Sequence, residues 1–183
     1  MDSHQAGPSE RRASVTLYQE DASGTRVQEE ASGMRGLGQP APSFTARNQH
    51  GELITSSSLR GAPAVIIFYP WAFSSICHDE LAAIRDDHES FVALGSRVLA
   101  ISCDAIYALR AYADTEGIPF DLLSDHWPHG AIAQAFGVFD EQAGCARRGT
   151  FVLDSTGMIK WQQINQINEP REIAAVLAAT ANL

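Results

Sequence analysis

The stretch Phe68-Tyr69-Pro70-Trp71-Ala72-Phe73-Ser74-Ser75-Ile76-Cys77 sets a cysteine seven residues after a proline, just beyond the apolar run Ala64 to Tyr69. From Cys77 onward, Leu81, Ile84, His88 and Phe91 recur in steps of four and three, the spacing of one helix face. Ser74 is a natural N-cap for that helix and makes Cys77 its third residue. A sulfur in the first turn of a helix meets unpaired backbone N–H groups and the positive end of the helix dipole. Both stabilise a negative sulfur, which is the nucleophilic form. Without those neighbours, a cysteine on an apolar stripe reads as a small core residue.

Ionisation alone does not make an efficient nucleophile. For any thiol, a drop in pKa from about 8.5 to about 6 takes roughly 3.4 kcal/mol and raises the thiolate fraction at neutral pH only about thirtyfold. Intrinsic nucleophilicity falls at the same time. Donors that hold the substrate and stabilise charge on its leaving atom must supply the rest. A guanidinium and a hydroxyl suit that task. Arg147 and Arg148 are the candidate guanidiniums and Ser74 the hydroxyl. Pro70 has no N–H, so its role is to shape the loop and shield the sulfur from water. Glu80, one turn beyond Cys77, would oppose a negative sulfur if left bare, and reads instead as a carboxylate that orients an arginine or forms a helix-surface pair.

These residues need elements to bring them together. Ser43 to Arg47 and Glu52 to Thr55 read as short strands around a turn at His50-Gly51. Ala64 to Tyr69 reads as a buried central strand, Arg97 to Ser102 as the next, and Phe120 to Leu123 as another. Asp104 is placed to cap a helix reaching about Thr115, and Ala131 to Phe136 forms a short helix. Thr150 to Leu153 and Met158 to Gln163 pair as a hairpin across Asp154–Gly157, and Asn168-Glu169-Pro170 opens a last helix carrying Ile173, Val176, Leu177 and Thr180. This order is that of an α/β, thioredoxin-like fold, a mixed central sheet flanked by helices. Parallel strands 64–69 and 98–102 end at one edge of the sheet, where such folds place their sites. An antiparallel strand at 150–153 starts at that edge, so Cys77 and Arg147-Arg148 are expected to be neighbours.

The chain has 183 residues, room for one domain and a tail. Residues 1–36 are poor in apolar side chains and without period, and read as a disordered N-terminal extension to a domain over 37–183. A formal charge of −9 argues against nucleic-acid or anionic-membrane partners, and no apolar run approaches the roughly 18 residues of a membrane span. No signal-peptide core is visible, and three cysteines fit neither a secreted disulfide framework nor a zinc site, so the expected compartment is the cytoplasm. His126-Trp127-Pro128-His129 reads as a loop clamp, because the proline prevents a helical pair of metal ligands. No metal is expected.

Proline, a hydroxyl residue four later and a cysteine three after that resemble the peroxidatic signature of the peroxiredoxins, Pro-x-x-x-Thr-x-x-Cys, with Ser74 for the threonine. Arg148-Gly149-Thr150-Phe151-Val152-Leu153-Asp154 resembles the segment carrying that family's active-site arginine, which points to Arg148 over Arg147. Cys77-His78-Asp79-Glu80-Leu81, Leu122 to Gly130 and Phe136-Gly137-Val138-Phe139 look like the alkyl hydroperoxide reductase E group. The resemblance covers about Gly38 to Leu183. It implies a one-cysteine thiol peroxidase cycling Cys77 through a sulfenic acid, acting on hydrogen peroxide, alkyl hydroperoxides or peroxynitrite. It further implies no cofactor, a homodimer, and reduction by a low-molecular-weight thiol, mycoredoxin or thioredoxin. Cys145, just before Arg148, leaves open a role as a resolving cysteine, and Cys103 a lesser one. A thiol–disulfide oxidoreductase is the alternative on the same fold, disfavoured because Glu80 stands where a second cysteine would be. A peroxide sensor or holdase would oxidise alike and turn over poorly.

Overall fold

Ala-Val-Ile-Ile-Phe, with its β-branched residues and no polar side chain, forms strand β3 (Ala64–Phe68), buried on both faces at the centre of a sheet. Around it the computed structural model describes residues 36–183. The extension expected over residues 1–36 lies, apart from Gly36, outside the described residues. Strands β1 (Thr45–Asn48) and β2 (Leu53–Thr55) form the first hairpin, and a 3₁₀ turn, Ser56–Leu59, leads toward β3. There follow α1 (Ser75–Asp86), α2 (His88–Ala93), β4 (Arg97–Ser102), α3 (Ile106–Glu116), β5 (Asp121–Ser124) and α4 (Ala131–Ala135). The chain closes with a small pair, β6 (Phe139–Asp140) and β7 (Cys145–Ala146), then β8 (Arg148–Leu153), β9 (Ile159–Asn165) and α5 (Ile173–Ala181).

The main sheet runs β2-β1-β5-β4-β3-β8-β9. β3, β4 and β5 are parallel to one another, while β8 lies antiparallel to β3, β9 to β8 and β1 to β5. This is the mixed sheet of a thioredoxin-like fold. Alternation along β3 divides the core. Ala64, Ile66 and Phe68 pack with Phe136, Phe151 and Leu99 on one face. Val65, Ile67 and the following Tyr69 pack with Cys77, Leu81, Ile84, Phe91, Tyr112 and Val176 on the other. The reactive-looking cysteine thus sits on the face covered by α1, α3 and α5.

Four expectations need correction. The apolar stripe from Cys77 to Phe91 spans two helices, because α1 ends at Asp86 and Asp87 (φ −92°, ψ 5°) caps it before α2 begins. Asp86-Asp87 ends the helix, as short polar side chains favour caps over helix interiors; Phe91 still reaches the core from α2. Ser74 holds the N-cap position, but its hydroxyl makes no cap bond. Asp104 does not cap α3, whose N-cap is Ala105; its carboxylate turns back toward the loop after β3. The last helix starts at Ile173, so Arg171 stays outside it. The β6–β7 pair was not expected, since two-residue strands carry no period.

Gly149 marks a close approach that β8 requires. A Cβ there would stand 2.8 Å from a Val138 methyl and 3.2 Å from the Phe151 ring. Gly149→Ala should therefore lower stability by about 1–3 kcal/mol through overpacking, read as a lower urea midpoint with unchanged slope. An unshifted midpoint would mean that Val138 yields freely.

Candidate active site

Three segments distant in sequence converge at the carboxyl edge of β3. The loop after β3 delivers Cys77 at the third residue of α1, where its side chain is fully buried. β8 delivers Arg148, which lies on the same strand face as Thr150 and Val152 and so points toward the layer holding Cys77. Its Nη1 donates to the Cys77 sulfur at 3.4 Å, and its Nε donates to the Ile167 carbonyl at 2.7 Å. The same Nη1 also donates to Glu80 Oε2 in a short, buried charge-assisted bond. Arg147, one residue earlier, faces the other way and donates through Nη2 to the Gly137 carbonyl at 2.9 Å.

Glu80 has a second partner that the sequence reading missed. The backbone N–H of Arg171 donates to Glu80 Oε1 at 2.7 Å, and the Arg171 Nε lies 3.3 Å from the same oxygen. Arg171 Nη2 donates to the Phe68 carbonyl at 2.6 Å, at the end of β3. Burial pushes this guanidinium down to about 10 against the upward pull of Glu80, so it stays charged at neutral pH. Its Nη1 is buried with no protein partner among the described residues. The late start of α5 matters here, because a helical Arg171 would not offer its N–H in this direction. The only sequence hint was Glu80 itself, a buried-stripe carboxylate with two oxygens to satisfy.

The loop over the sulfur is held from two sides. Asp104 Oδ2 accepts from the Ala72 N–H at 2.9 Å and from the Ser102 hydroxyl at 2.8 Å. Phe73 takes a left-handed backbone conformation (φ 63°), and its ring packs edge-on against Tyr112 with centroids 5.0 Å apart. Pro70 is buried at the start of this loop, and the Ser74 hydroxyl donates to the Trp71 carbonyl at 3.1 Å. Beneath it, the Tyr69 and Tyr112 hydroxyls are buried without partners among the described residues. Burial raises both phenols, that of Tyr112 to about 12, so both are neutral hydroxyls able to donate.

The other sequence candidates make no hydrogen bond to Cys77, Arg148 or Glu80 among the described residues. Cys103 and Cys145 are buried, unpaired thiols. Burial pushes them up to about 12 and about 11 respectively. His126 Nδ1 donates to the Cys103 carbonyl at 3.3 Å and His129 Nε2 to the Gly144 carbonyl at 2.8 Å, so the two imidazoles tie different loops together.

A model of the AhpC/TSA family matches residues 37–162. Alkyl hydroperoxide reductase E of Mycobacterium tuberculosis is 45% identical over 140 residues, 76% of this chain and 92% of that protein. The chloroplastic peroxiredoxin Q of Populus jackii is 33% identical over 147 residues, 80% of this chain and 68% of that one. The crystal structure of Enterococcus faecalis AhpC superposes with a TM-score of 0.75 at 27% identity, over 80% of this chain and 90% of that chain. A reduced 2-Cys peroxiredoxin of Plasmodium vivax, at 20% identity and a TM-score of 0.71, is a likeness of fold alone.

Glu80 separates two buried guanidiniums, and deleting it would leave both uncompensated. Glu80→Ala should cost about 3–5 kcal/mol in unfolding free energy, the magnitude of breaking a buried ion pair. Chemical denaturation monitored by circular dichroism would measure it. A loss below about 1 kcal/mol, the scale of an exposed pair, would show that water screens the cluster.

Proposed function

The chain belongs to the AhpC/TSA family as a thiol-dependent peroxidase of the alkyl hydroperoxide reductase E type, and from that premise we propose that Cys77, Arg148 and Ser74 carry the chemistry. The observation that supports this most is the 3.4 Å contact from Arg148 Nη1 to the Cys77 sulfur in the first turn of α1. Two buried guanidiniums against one buried carboxylate leave one positive charge over, and an anionic sulfur at Cys77 balances it.

The sulfur attacks one oxygen of the peroxide, an S–O bond forms, the O–O bond breaks, and an alcohol or water leaves with a proton. The product is the Cys77 sulfenic acid. Arg148 holds the peroxide and stabilises the charge developing on the departing oxygen. The Ser74 hydroxyl spends its proton on Trp71 and keeps lone pairs to accept from the peroxide O–H. Pro70 keeps backbone donors and water away from the sulfur. Glu80 and Arg171 are positioning residues, acting on the sulfur through Arg148. Since Cys77 is wholly buried, the peroxide enters as the loop at 70–74 moves aside.

Peroxide substrate and thiol reductant follow from the family. The finer reading is hydrogen peroxide, alkyl hydroperoxides or peroxynitrite as oxidant, with a low-molecular-weight thiol, mycoredoxin or thioredoxin returning the sulfenic acid to thiol with release of water. Three free cysteines support work in a reducing cytoplasm. Trp71, Phe73, Tyr107 and Trp127 stand 42%, 57%, 82% and 84% exposed around the carboxyl edge of the sheet, which supports a second copy of the chain covering that edge as a homodimer.

Cys77→Ser should abolish peroxide consumption in a coupled thiol assay while the far-ultraviolet dichroism stays unchanged; substantial remaining turnover would overturn the assignment. Arg148→Ala should slow the peroxide step by about 10²–10³, as expected for losing one oxyanion donor. Arg147→Ala should leave that rate nearly unchanged, because Arg147 points at Gly137. Stopped-flow measurement of sulfenic acid formation distinguishes the two, and a reversed order would place the chemistry on the wrong arginine.

A further inference from the structure

Asp104 serves the loop over Cys77 rather than the helix it precedes. α3 has Ala105 as its N-cap and no side chain bonds that cap. Yet a carboxylate stands one residue before it, a residue type suited to the open N–H groups of a first turn. That carboxylate instead accepts the Ala72 N–H through Oδ2 at 2.9 Å, 32 residues back in the chain. The Ser102 hydroxyl donates to the same oxygen at 2.8 Å and fixes its direction. Local preferences overridden in this way cluster at functional sites.

The two ends of this bond differ in how firmly they are held. On the Asp104 side, the Ser124 hydroxyl donates to the Asp104 carbonyl at 2.6 Å, and Ser102 pairs with Ser124 across β4 and β5. That end is part of the sheet. On the other side, Ala72 lies midway along the loop, next to Phe73, whose φ of 63° disfavours any residue with a side chain. Phe73 keeps that conformation with its ring against Tyr112. The loop thus has two separate fastenings over a sulfur with no exposure. Releasing the Phe73 ring opens a narrow way while Ala72 stays tied. Releasing Ala72 as well frees the middle of the loop, and the strain at Phe73 favours both.

We propose that Asp104 is a positioning residue that sets which hydroperoxides reach the sulfur, an inference that rests on the peroxidase reading of Cys77. With Ala72 tied, the way admits hydrogen peroxide, which has only its two oxygens to pass. A hydroperoxide on a bulky tertiary carbon needs Ala72 released first. The bond from Ala72 to the Asp104 carboxylate therefore adds to the barrier for the bulky substrate and leaves the small one alone. Asp104 touches no peroxide and acts only through the loop.

The test uses the full chain, reduced, with stopped-flow rate constants for oxidation of Cys77 by hydrogen peroxide and by cumene hydroperoxide. Amide exchange at Ala72 is followed alongside by nuclear magnetic resonance. In Asp104→Ala the ratio of the cumene hydroperoxide rate to the hydrogen peroxide rate should rise at least about tenfold, the scale of one bond to a charged acceptor. The Ala72 amide should exchange slowly in the wild type and lose that protection in the variant, while the amides of β3 and β4 keep theirs. Asp104→Asn keeps an oxygen for Ala72 without the charge, so its ratio should fall between the two. Ser102→Ala removes only the orienting hydroxyl and should move the ratio in the same direction by less. An unmoved ratio in a reactive Asp104→Ala overturns the proposal alone, and so does a wild-type Ala72 amide that exchanges as if unprotected. A wild type that reacts with neither peroxide overturns the peroxidase reading and the proposal with it. The wild-type exchange measurement needs no variant, so a misfolded mutant does not decide the matter.

Discussion

One carboxylate organises the reactive edge. Glu80 gives one oxygen to Arg148 and the other to the backbone and guanidinium of Arg171, all within a few percent of complete burial. Taking such charges from water costs several kcal/mol each, and only dense, well-directed bonding offsets it. Here the bonding extends to the Ile167 and Phe68 carbonyls. The cluster thereby fixes α1, β8, the end of β3 and the approach to α5 against one another. Apolar packing sets these elements at roughly the right separation, and the charges fix their register near the sulfur.

That register is inherited from the core. Phe151 packs beneath the sheet with Phe68 and Phe136, at centroid distances of 5.9 and 4.9 Å, while Val152 packs above it with Ile67 and Val65. With those two residues placed, Arg148 must rise on the Cys77 side and Gly149 must face Val138. A slip of one residue would bury Arg147 in the site and turn Phe151 away from its aromatic partners. Hydrophobic pairing thus selects which arginine meets the thiol.

What the sequence disclosed follows the same physics. Strands with strong apolar runs, the helix stripe from Cys77 and the hairpin across Asp154–Gly157 were legible because their periods are local. So was the meeting of Cys77 with the pair Arg147-Arg148, since the sheet order carries both to one edge; the family resemblance, not the period, singled out Arg148. Arg171 was not legible: it lies in an extended segment before α5, with no period and no nearby partner in sequence. Asp104 misled for a related reason. An aspartate before a helix usually caps it, but here the Ala72 N–H, 32 residues away, needed an acceptor more than α3 did. The β6–β7 pair, two residues on each side, exists only through contacts with the rest of the fold.

The relative strengths of these contacts decide how a fully buried sulfur is reached. Opening the Glu80 cluster would cost about 3–5 kcal/mol. The loop at 70–74 is held by one aromatic edge contact, worth about 0.5–1.5 kcal/mol, and by the bond from Ala72 to Asp104, worth about 1.5–3 kcal/mol. The left-handed backbone at Phe73 works against those contacts by about 1–2 kcal/mol. The loop is therefore the weaker wall. On the mechanism proposed above, access comes by lifting Phe73 from Tyr112 while Arg148 keeps its place beside the sulfur, so its guanidinium is already set when the peroxide arrives.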